Sequence, residues 1–541
     1  MMETLFLIGG QQTRPLDPGV AGNKAANLSR MAAMGLSVPP AFVVPNSLCA
    51  GVNSGERGAL DALDRALDDG MRFLEDQTGR RFGDRRRPLL VSVRSGAPHS
   101  MPGMLETVLD VGCTSEAVQG LVRISGNPRF AWDCRRRFLQ GYGETVLGLD
   151  PRPLEARLAA LMAEEAAASD SDLDGEALER FAAECLGYAA QSGADVPDDA
   201  VAQLRAAARA VFRSWDCDKA RAYRRLTHLP DGDGTAVTVQ AMVFGNMGRQ
   251  SGAGVAFSRD PSTGEKTPVI DLLFEAQGED VVSGRRTPVA GTVLAARLPA
   301  VSGELLAALA RLEDSFRDVQ DVEFTIEGGR LWMLQTRAAK RTPRAALRIA
   351  VDDVRAGRIT QDEAVIRLSG LDEDGLAVTR FESAGAPIGE GVPAAPGVAA
   401  GRAAFDSASA QQLAAKGDAV ILLRPDTAAA DVAGFAAAAG ILTTAGGRTA
   451  HAALVARQMG KPCVVACGTL AIDEAHRHAH IGTLAIAEGD WLSIDGDAGT
   501  VFAGRLPIVV TRPEHDLAEW RRWKEQASSA HASSGAAAAA Q

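Results

Sequence analysis

The sequence predicts a multidomain chain of mixed α/β and α+β class, and three observations carry that reading. At 541 residues the chain has room for two to four domains, each able to bury its own core. Short apolar segments of strand character alternate with longer alanine- and charge-rich segments of helical periodicity, so neither element type dominates. A glycine- and proline-rich stretch, Gly385-Ala386-Pro387 through Pro396-Gly397, marks a boundary between moving parts.

Composition narrows the function. Hydrophobic residues at 46% and charged residues at 23% are ordinary for a soluble globular protein. No window approaches the ~18 uninterrupted apolar residues of a membrane span. The start, Met1-Met2-Glu3-Thr4-Leu5-Phe6-Leu7-Ile8, lacks the basic region and long apolar core of a signal peptide. Seven scattered cysteines, an odd number, fit a reducing cytoplasm better than a disulfide framework. A net charge of −11 argues against nucleic acid as the main partner but allows a nucleotide held by local cations.

In chain order, Gly19-Val20-Ala21-Gly22-Asn23-Lys24 places glycines before a lysine at the entrance of a helical run that ends at Gly35. A lysine there can reach a phosphate, although the G-x-x-x-x-G-K-[ST] spacing is absent and most lysines are solvated surface. Residues 55–87 are charged and helix-like. The apolar strand Leu89-Leu90-Val91-Ser92-Val93-Arg94 then delivers Arg94 into a loop of small residues, Ser95 to Met104. Such a loop exposes backbone N–H groups suited to anions, and an arginine in an apolar strand needs a partner. Asn127 to about Ser214 reads as a helical insert of scaffold character, with Asp170 to Asp174 as a solvated acidic connector.

Strands return at Ala236–Phe244, Gly252–Asp260 and Val269–Glu275. Val319–Ile326 meets Arg330–Arg337 across Glu327-Gly328-Gly329 as a β-hairpin. Alternation puts Asp321, Glu323 and Thr325 on one face of the first strand, and Gln335 and Arg337 on one face of the second. Two carboxylates facing an amide and a guanidinium suit Mg²⁺ and a polyphosphate; the structural alternative is a cross-strand salt bridge on a wet sheet face. Ala345 to Leu368 reads as an amphipathic helix–turn–helix, and Asp426 to Ala438 as a helix.

The most informative stretch is Gly446-Gly447-Arg448-Thr449-Ala450-His451, between the buried strands Ala439–Thr444 and Pro462–Gly468. The glycine pair turns the chain from strand to helix, Ala452 to Met459 continues the helix, and Gly460 stops it. His451 thus falls in the first helical turn, where unpaired N–H groups and the helix dipole favour a phosphorylated imidazole. A histidine that merely caps a buried turn is the bland alternative. His476, His478 and His480 alternate along a short segment, but nothing else of ligand type surrounds them and they are not read as a metal site. Cys463 and Cys467 read as core residues, and Ser528 to Gln541 as disordered low complexity.

Together these segments resemble the pyruvate phosphate dikinase family, and more distantly phosphoenolpyruvate synthase, over most of residues 15–505. The motifs that carry the resemblance are Val91 to Gly103, Asn127 to Trp132, Val239 to Gly248, Ser251 to Lys266, Ala276 to Pro288, Gln320 to Lys340 and Gly446 to Val464. The resemblance implies an ATP-grasp nucleotide-binding domain at 1–340 with a helical insert at about 115–214. It implies a helical linker and hinge at 341–396 and a swivelling phosphohistidine domain at 397–510, leaving 511–541 as a charged helix and disordered tail.

The implied chemistry is a dikinase half-reaction in the cytoplasm. ATP gives its β-phosphoryl to His451 and its γ-phosphoryl to phosphate or water, leaving AMP. By motif, Lys24 and Arg94 contact phosphates, and the loop bearing Ser100, Met101 and Gly103 covers them. Gln240, Met242 and Val243 line the adenine pocket. Asp321, Glu323 and Gln335 hold Mg²⁺ and ribose or phosphate, Arg337 neutralises developing charge, and neutral His451 is the nucleophile, with Thr449 beside it. A monovalent cation and a homodimer are further expectations of the resemblance. Arg448 and Ala450 depart from the family pattern, as does Pro98-His99 in the covering loop. A complete family member also carries a barrel of about 250 residues that binds pyruvate or phosphoenolpyruvate, and residues 506–541 are too few for one. The expectation is therefore an acceptor on a separate chain or a small-molecule acceptor. The alternatives are a small-molecule kinase of the rifampin phosphotransferase kind, and a non-catalytic ATP-binding regulator.

Overall fold

Asp17 accepts a hydrogen bond from the Gly19 amide at 2.8 Å and Pro18 occupies the first helical turn, starting the helix Pro18–Ala33. The same logic starts the helices of the insert: Thr114 caps Ser115–Ser125, Asn127 caps Pro128–Thr145, and Asp174 caps Gly175–Gln191. The structure is a computed structural model that describes all residues except 1–3, 11–13, 99–100, 102–105, 228, 231, 233, 283–285, 374–375, 426–431, 448–450, 474–475 and 539–541.

The chain divides into two compact units whose boundary does not follow residue 340. The first comprises Met1–Gly252, Phe274–Ala276 and Phe324–Thr336. Its five-stranded sheet runs in the order Phe6–Ile8, Ala41–Val44, Ala236–Ala241, Val91–Gly96, Thr107–Val111, with every neighbouring pair antiparallel. Helices of the insert, Ser115–Ser125 through Ala200–Ser214, contribute Phe130, Phe138, Phe181 and Phe212 to one core with Val91, Val93 and Val239 of the sheet.

The second unit comprises Ala253–Leu273, Gln277–Glu323 and Arg337–Gln541. Its centre is an eight-stranded sheet ordered Gly389–Glu390, Thr500–Ala503, Trp491–Asp495, Val398–Ala404, Val420–Arg424, Gly440–Thr443, Cys463–Val465, Val392–Ala395. Four central strands, from Val398–Ala404 to Cys463–Val465, are mutually parallel. Cys463 and Cys467 are buried in the cores on either side of it.

Ala253–Leu273 and Gln277–Glu323 join the second unit: Arg259, 2% exposed, bonds Glu313 at 2.7 Å, Asp352 at 3.2 Å and Asp353 at 3.4 Å, and Phe257, Val269 and Val319 pack on Ala345 and Ile349. A buried guanidinium must keep its carboxylates, so this cluster ties the segments together. Within the stretch expected as a helical linker and hinge, the helices Pro343–Arg355 and Gln361–Arg367 pack on Leu517, Trp520 and Trp523, and Gly389–Glu390 and Val392–Ala395 are strands of the eight-stranded sheet. Finally, the last helix runs Glu514–Ala538 through the stretch expected to be disordered, since alanine is the strongest helix former. The helix expected at Asp426 to Ala438 is seen at Val432–Ala437; residues 426–431 lie outside the described residues.

Candidate functional site

In the first unit the glycine-rich entrance to the lysine helix is bent at Gly22, whose φ of 78° and ψ of 156° are open essentially to glycine alone. A Cβ at Gly22 would lie 2.2 Å from the Gly96 carbonyl oxygen, so the helix entrance sits directly on the end of the Arg94 strand. Asn23 ties the two: its amide donates to the Ala97 carbonyl at 3.1 Å, and its side-chain amide donates to the Pro98 carbonyl. Lys24 follows, exposed, in the same helix. The Arg94 guanidinium donates to Gln335 Oε1 at 3.1 Å, and Asn27 Nδ2 donates to the Thr336 carbonyl at 2.9 Å. Arg94 and Gln335, far apart in sequence, are thus bonded, and the helix that carries Lys24 is tied to the ends of both their strands. Met101 is buried; Ser100 and Gly103 lie outside the described residues.

The expected adenine segment leaves the central strand of the sheet. The Gln240 side chain is buried and donates to the Pro39 carbonyl at 3.2 Å, so it serves the scaffold. The amides of Ala241 and Met242 are engaged by the Pro40 and Leu90 carbonyls, both at 2.9 Å. Met242 and Val243, which follow in the segment, are half-buried. Behind it, buried Asp133 accepts from Asn246 Nδ2 at 2.7 Å and pairs with Arg136 at 2.7 Å and Arg137 at 3.1 Å.

In the second unit Asp321 Oδ2 accepts from Arg337 Nε at 2.8 Å, which is the cross-strand salt bridge of the structural alternative. That pairing leaves Asp321 Oδ1 buried with no hydrogen-bond partner among the described residues. Burial pushes the Asp321 carboxyl above the usual carboxylate range, against the pull of Arg337. A buried carboxylate oxygen in want of a partner, two residues from the half-buried carboxylate of Glu323, fits a hard divalent cation. Among the described residues no three His, Cys, Asp or Glu side chains form a metal centre. Mg²⁺ needs none, because one or two carboxylates and substrate phosphates suffice.

The histidine turn lies in the same unit. Gly440–Thr443 and Cys463–Val465 are adjacent parallel strands, and the helix His451–Gln458 is their crossover. The backbone of His451 therefore opens a helix at the carboxyl end of a parallel strand, the usual ligand-facing edge of such sheets. Thr449, with Arg448 and Ala450, lies outside the described residues, as does the His451 side chain. Gly446 has φ 109° and makes the turn. Gly447 is seated so that an added Cβ would meet Pro288 Cγ at 2.8 Å and Asp271 Oδ2 at 3.0 Å. The turn is thus packed on the strand Val269–Phe274 and its antiparallel neighbour Val289–Ala290.

Sequence reasoning passed over Arg457 and Asn23. Arg457 is 3% exposed, donates to the Ala394 carbonyl at 2.7 Å and lies 5.8 Å from the Phe257 ring centroid. Burial lowers its pKa, while Asp260, Asp271 and Asp321 pull the other way. An arginine amid the alanines of a short helix was the only signal for it.

Both regions match known family models. Residues 60–306 match the pyruvate phosphate dikinase AMP/ATP-binding domain, and residues 416–499 match the mobile domain of PEP-utilising enzymes. The chain is 44% identical to pyruvate, phosphate dikinase of Clostridium symbiosum over 90% of its own length and 56% of the relative. It is 41% identical to pyruvate, phosphate dikinase 2 of Zea mays over 93% of its length and 57% of that relative. The Rhizobium meliloti enzyme is also 41% identical, over 93% and 58% respectively. The chain therefore spans little more than half the length of these relatives. No helix among the described residues is long and apolar enough to cross a membrane.

Proposed function

We propose that these residues carry the ATP-dependent half-reaction of a pyruvate, phosphate dikinase-like phosphotransferase. The observation that supports it best is the seating of Gly447 against Asp271 and Pro288, which brings the histidine turn onto strands within the segment that matches the ATP-binding family model. In this reading Lys24 and Arg94 hold the triphosphate, Met242 and Val243 line the base, and the covering loop with Ser100, Met101 and Gly103 excludes water. Asp321 and Glu323 hold Mg²⁺, with Gln335 kept in place by Arg94. Mg²⁺ supplies neutralisation of the phosphate oxygens as charge shifts between them.

The neutral imidazole of His451 attacks the β-phosphorus, forming an N–P bond as the bond to the α-phosphate oxygen breaks and AMP departs. The γ-phosphoryl passes to phosphate, giving pyrophosphate, or to water. Arg337 turns from Asp321 to the developing charge, and the positive helix terminus and Thr449 stabilise the new phosphohistidine. The phosphoryl group then passes to pyruvate or another acceptor held outside the two matched regions, on a separate chain or on further polypeptide. ATP labelled at the β-phosphorus tests the loading step. Acid-labile label at His451 with AMP formation is expected, and ATP binding without any label contradicts the proposal.

A further inference from the structure

The helix that opens at His451 carries Arg457 in its last turn. Arg457 is buried, and its Nη1 donates to the carbonyl of Ala394, on the edge strand Val392–Ala395 of the eight-stranded sheet. That bond alone does not call for a cation, and burying a guanidinium is costly unless opposite charge offsets it. The opposite charge stands on a segment distant in sequence. Arg457 and Ala394 line a cavity of about 60 Å³ together with Asp260 and Thr263 of the segment Ala253–Leu273, room for a few water molecules. Asp260 is fixed there, because its Oδ1 accepts from the amides of Ser262 at 2.7 Å and Thr263 at 3.1 Å. Asp497 also lines the cavity, and its Oδ2 accepts from the Gly397 amide at 2.7 Å. The Arg457 guanidinium lies 5.8 Å from the ring centroid of Phe257, itself buried in the same segment as Asp260. Asp271, whose Oδ2 lies against Gly447, draws Arg457 in the same sense as Asp260.

One segment therefore meets this helix at both ends: Asp271 at the turn that leads into it, and Phe257 and Asp260 at its last turn. A single anchor fixes a point, whereas two fix a direction. We propose that Arg457 is a positioning residue for phosphoryl loading, setting the direction in which His451 approaches the nucleotide by anchoring the far end of its helix to Phe257 and Asp260. The inference rests on the reading of His451 as phosphoryl acceptor and adds a second anchor to the one at Gly447. The stretch from His451 to Arg457 is roughly 9 Å long at 1.5 Å per residue, so a slip of about 1–2 Å at Arg457 tilts the helix by about 10°. Misplacement on that scale costs about 100-fold in a reaction that depends on in-line approach. A cation also suits a contact that is made and broken, because Arg457 is solvated again on release; interfaces between parts of one chain are usually polar for this reason.

The test uses the full chain with Mg²⁺ and has two readouts: label passing from the β-phosphorus of ATP to His451 in quench-flow, and hydrogen exchange without nucleotide. Arg457→Met keeps the reach of the side chain and removes its charge; Arg457→Lys keeps the charge and loses the planar fork. Loading is expected to slow roughly 100-fold in Arg457→Met and about tenfold in Arg457→Lys, with ATP affinity unchanged in both. Asp260→Asn keeps an acceptor oxygen for the Ser262 and Thr263 amides, and its effect combined with Arg457→Met should depart from additivity by about fivefold or more. An arginine that serves only its own sheet, through Ala394, gives additive effects, and that result overturns the inference, as does wild-type loading in Arg457→Met. Exchange should rise in Arg457→Met both over His451–Gln458 and over residues 260–264, while the strand Val398–Ala404 keeps its protection. Because exchange needs no phosphoryl transfer, it separates two failures. A wild-type chain that never labels His451 contradicts the function proposed above, whereas unchanged exchange at 260–264 contradicts the anchor alone. Should Arg457→Met fail to fold, Arg457→Lys takes its place in the cycle with Asp260→Asn, and additivity there overturns the inference.

Discussion

Replacing Gly447 with alanine puts a methyl carbon 2.8 Å from Pro288 Cγ, 2.9 Å from Pro288 Cδ and 3.0 Å from Asp271 Oδ2. Carbon atoms in contact prefer about 3.5–4.0 Å, and a proline ring cannot swing aside as a flexible chain end would. Overpacking of this kind typically costs about 1–3 kcal/mol. Because Gly447 φ lies outside the left-handed region, the added methyl strains the seating of the turn and not its backbone. If phosphoryl loading requires this seating, its rate falls by roughly 5- to 150-fold, at 1.36 kcal/mol per factor of ten. ATP affinity, which the proposed function assigns to Lys24 and Arg94, should stay within twofold. Quench-flow measurement of label on His451, beside equilibrium binding of ATP, separates the two. A Gly447→Ala chain that loads at the wild-type rate would refute the reasoning, as would one whose ATP affinity falls in step with its loading rate.

Other outcomes rest on the same geometry. Gly22→Ala combines a backbone conformation costing about 1–3 kcal/mol for a non-glycine residue with a 2.2 Å approach to the Gly96 carbonyl. It should lower the melting temperature and weaken ATP binding together; a chain with unchanged ATP affinity contradicts the assignment of Lys24 to the triphosphate. The Asp133 carboxyl is held below the usual range: burial opposes its ionisation, but Arg137, Arg136 and Arg129 together outweigh it. A depressed folded pKa contributes stability above the unfolded value near 3.9 and loses it as the pH falls through the folded one. Asp133→Asn should therefore lower stability at neutral pH and flatten its decline below about pH 4 in denaturant titrations, whereas parallel wild-type and variant profiles would contradict the assignment.

Much of this was legible in the sequence where the chemistry is local. The hairpin around Glu327-Gly328-Gly329, the helical insert and the glycine turn before His451 all rest on periodicity, caps and turn residues, which act over a few positions. What stayed hidden depends on side chains brought from far away. Arg259 reads as one more strand arginine until Asp352 and Asp353, 93 and 94 positions on, are seen bonded to it, and that pairing sets the unit boundary. The glycines and prolines at 385–397 suggested a tether, yet the ladder partners of Val392 and Pro393 are Val465 and Val464, which no local pattern reveals. Within the candidate site, motif reading chose Arg94 and Gln335 separately, while their hydrogen bond emerged only from the fold. Likewise it marked Gln240, while the bond from its side-chain amide to the Pro39 carbonyl is seen only in the fold.

The central claim is that His451 takes the β-phosphoryl of ATP, and one measurement addresses it most directly. The full chain is incubated with Mg²⁺, phosphate and ATP labelled at either the β- or the γ-phosphorus, and the protein-bound label is located by peptide mapping under alkaline conditions. Label from the β-position is expected at His451 alone, with γ-label there only until it passes to phosphate, AMP released in equal amount and none bound in His451→Ala. γ-Label on His451 without β-label, or ADP in place of AMP, would contradict the claim.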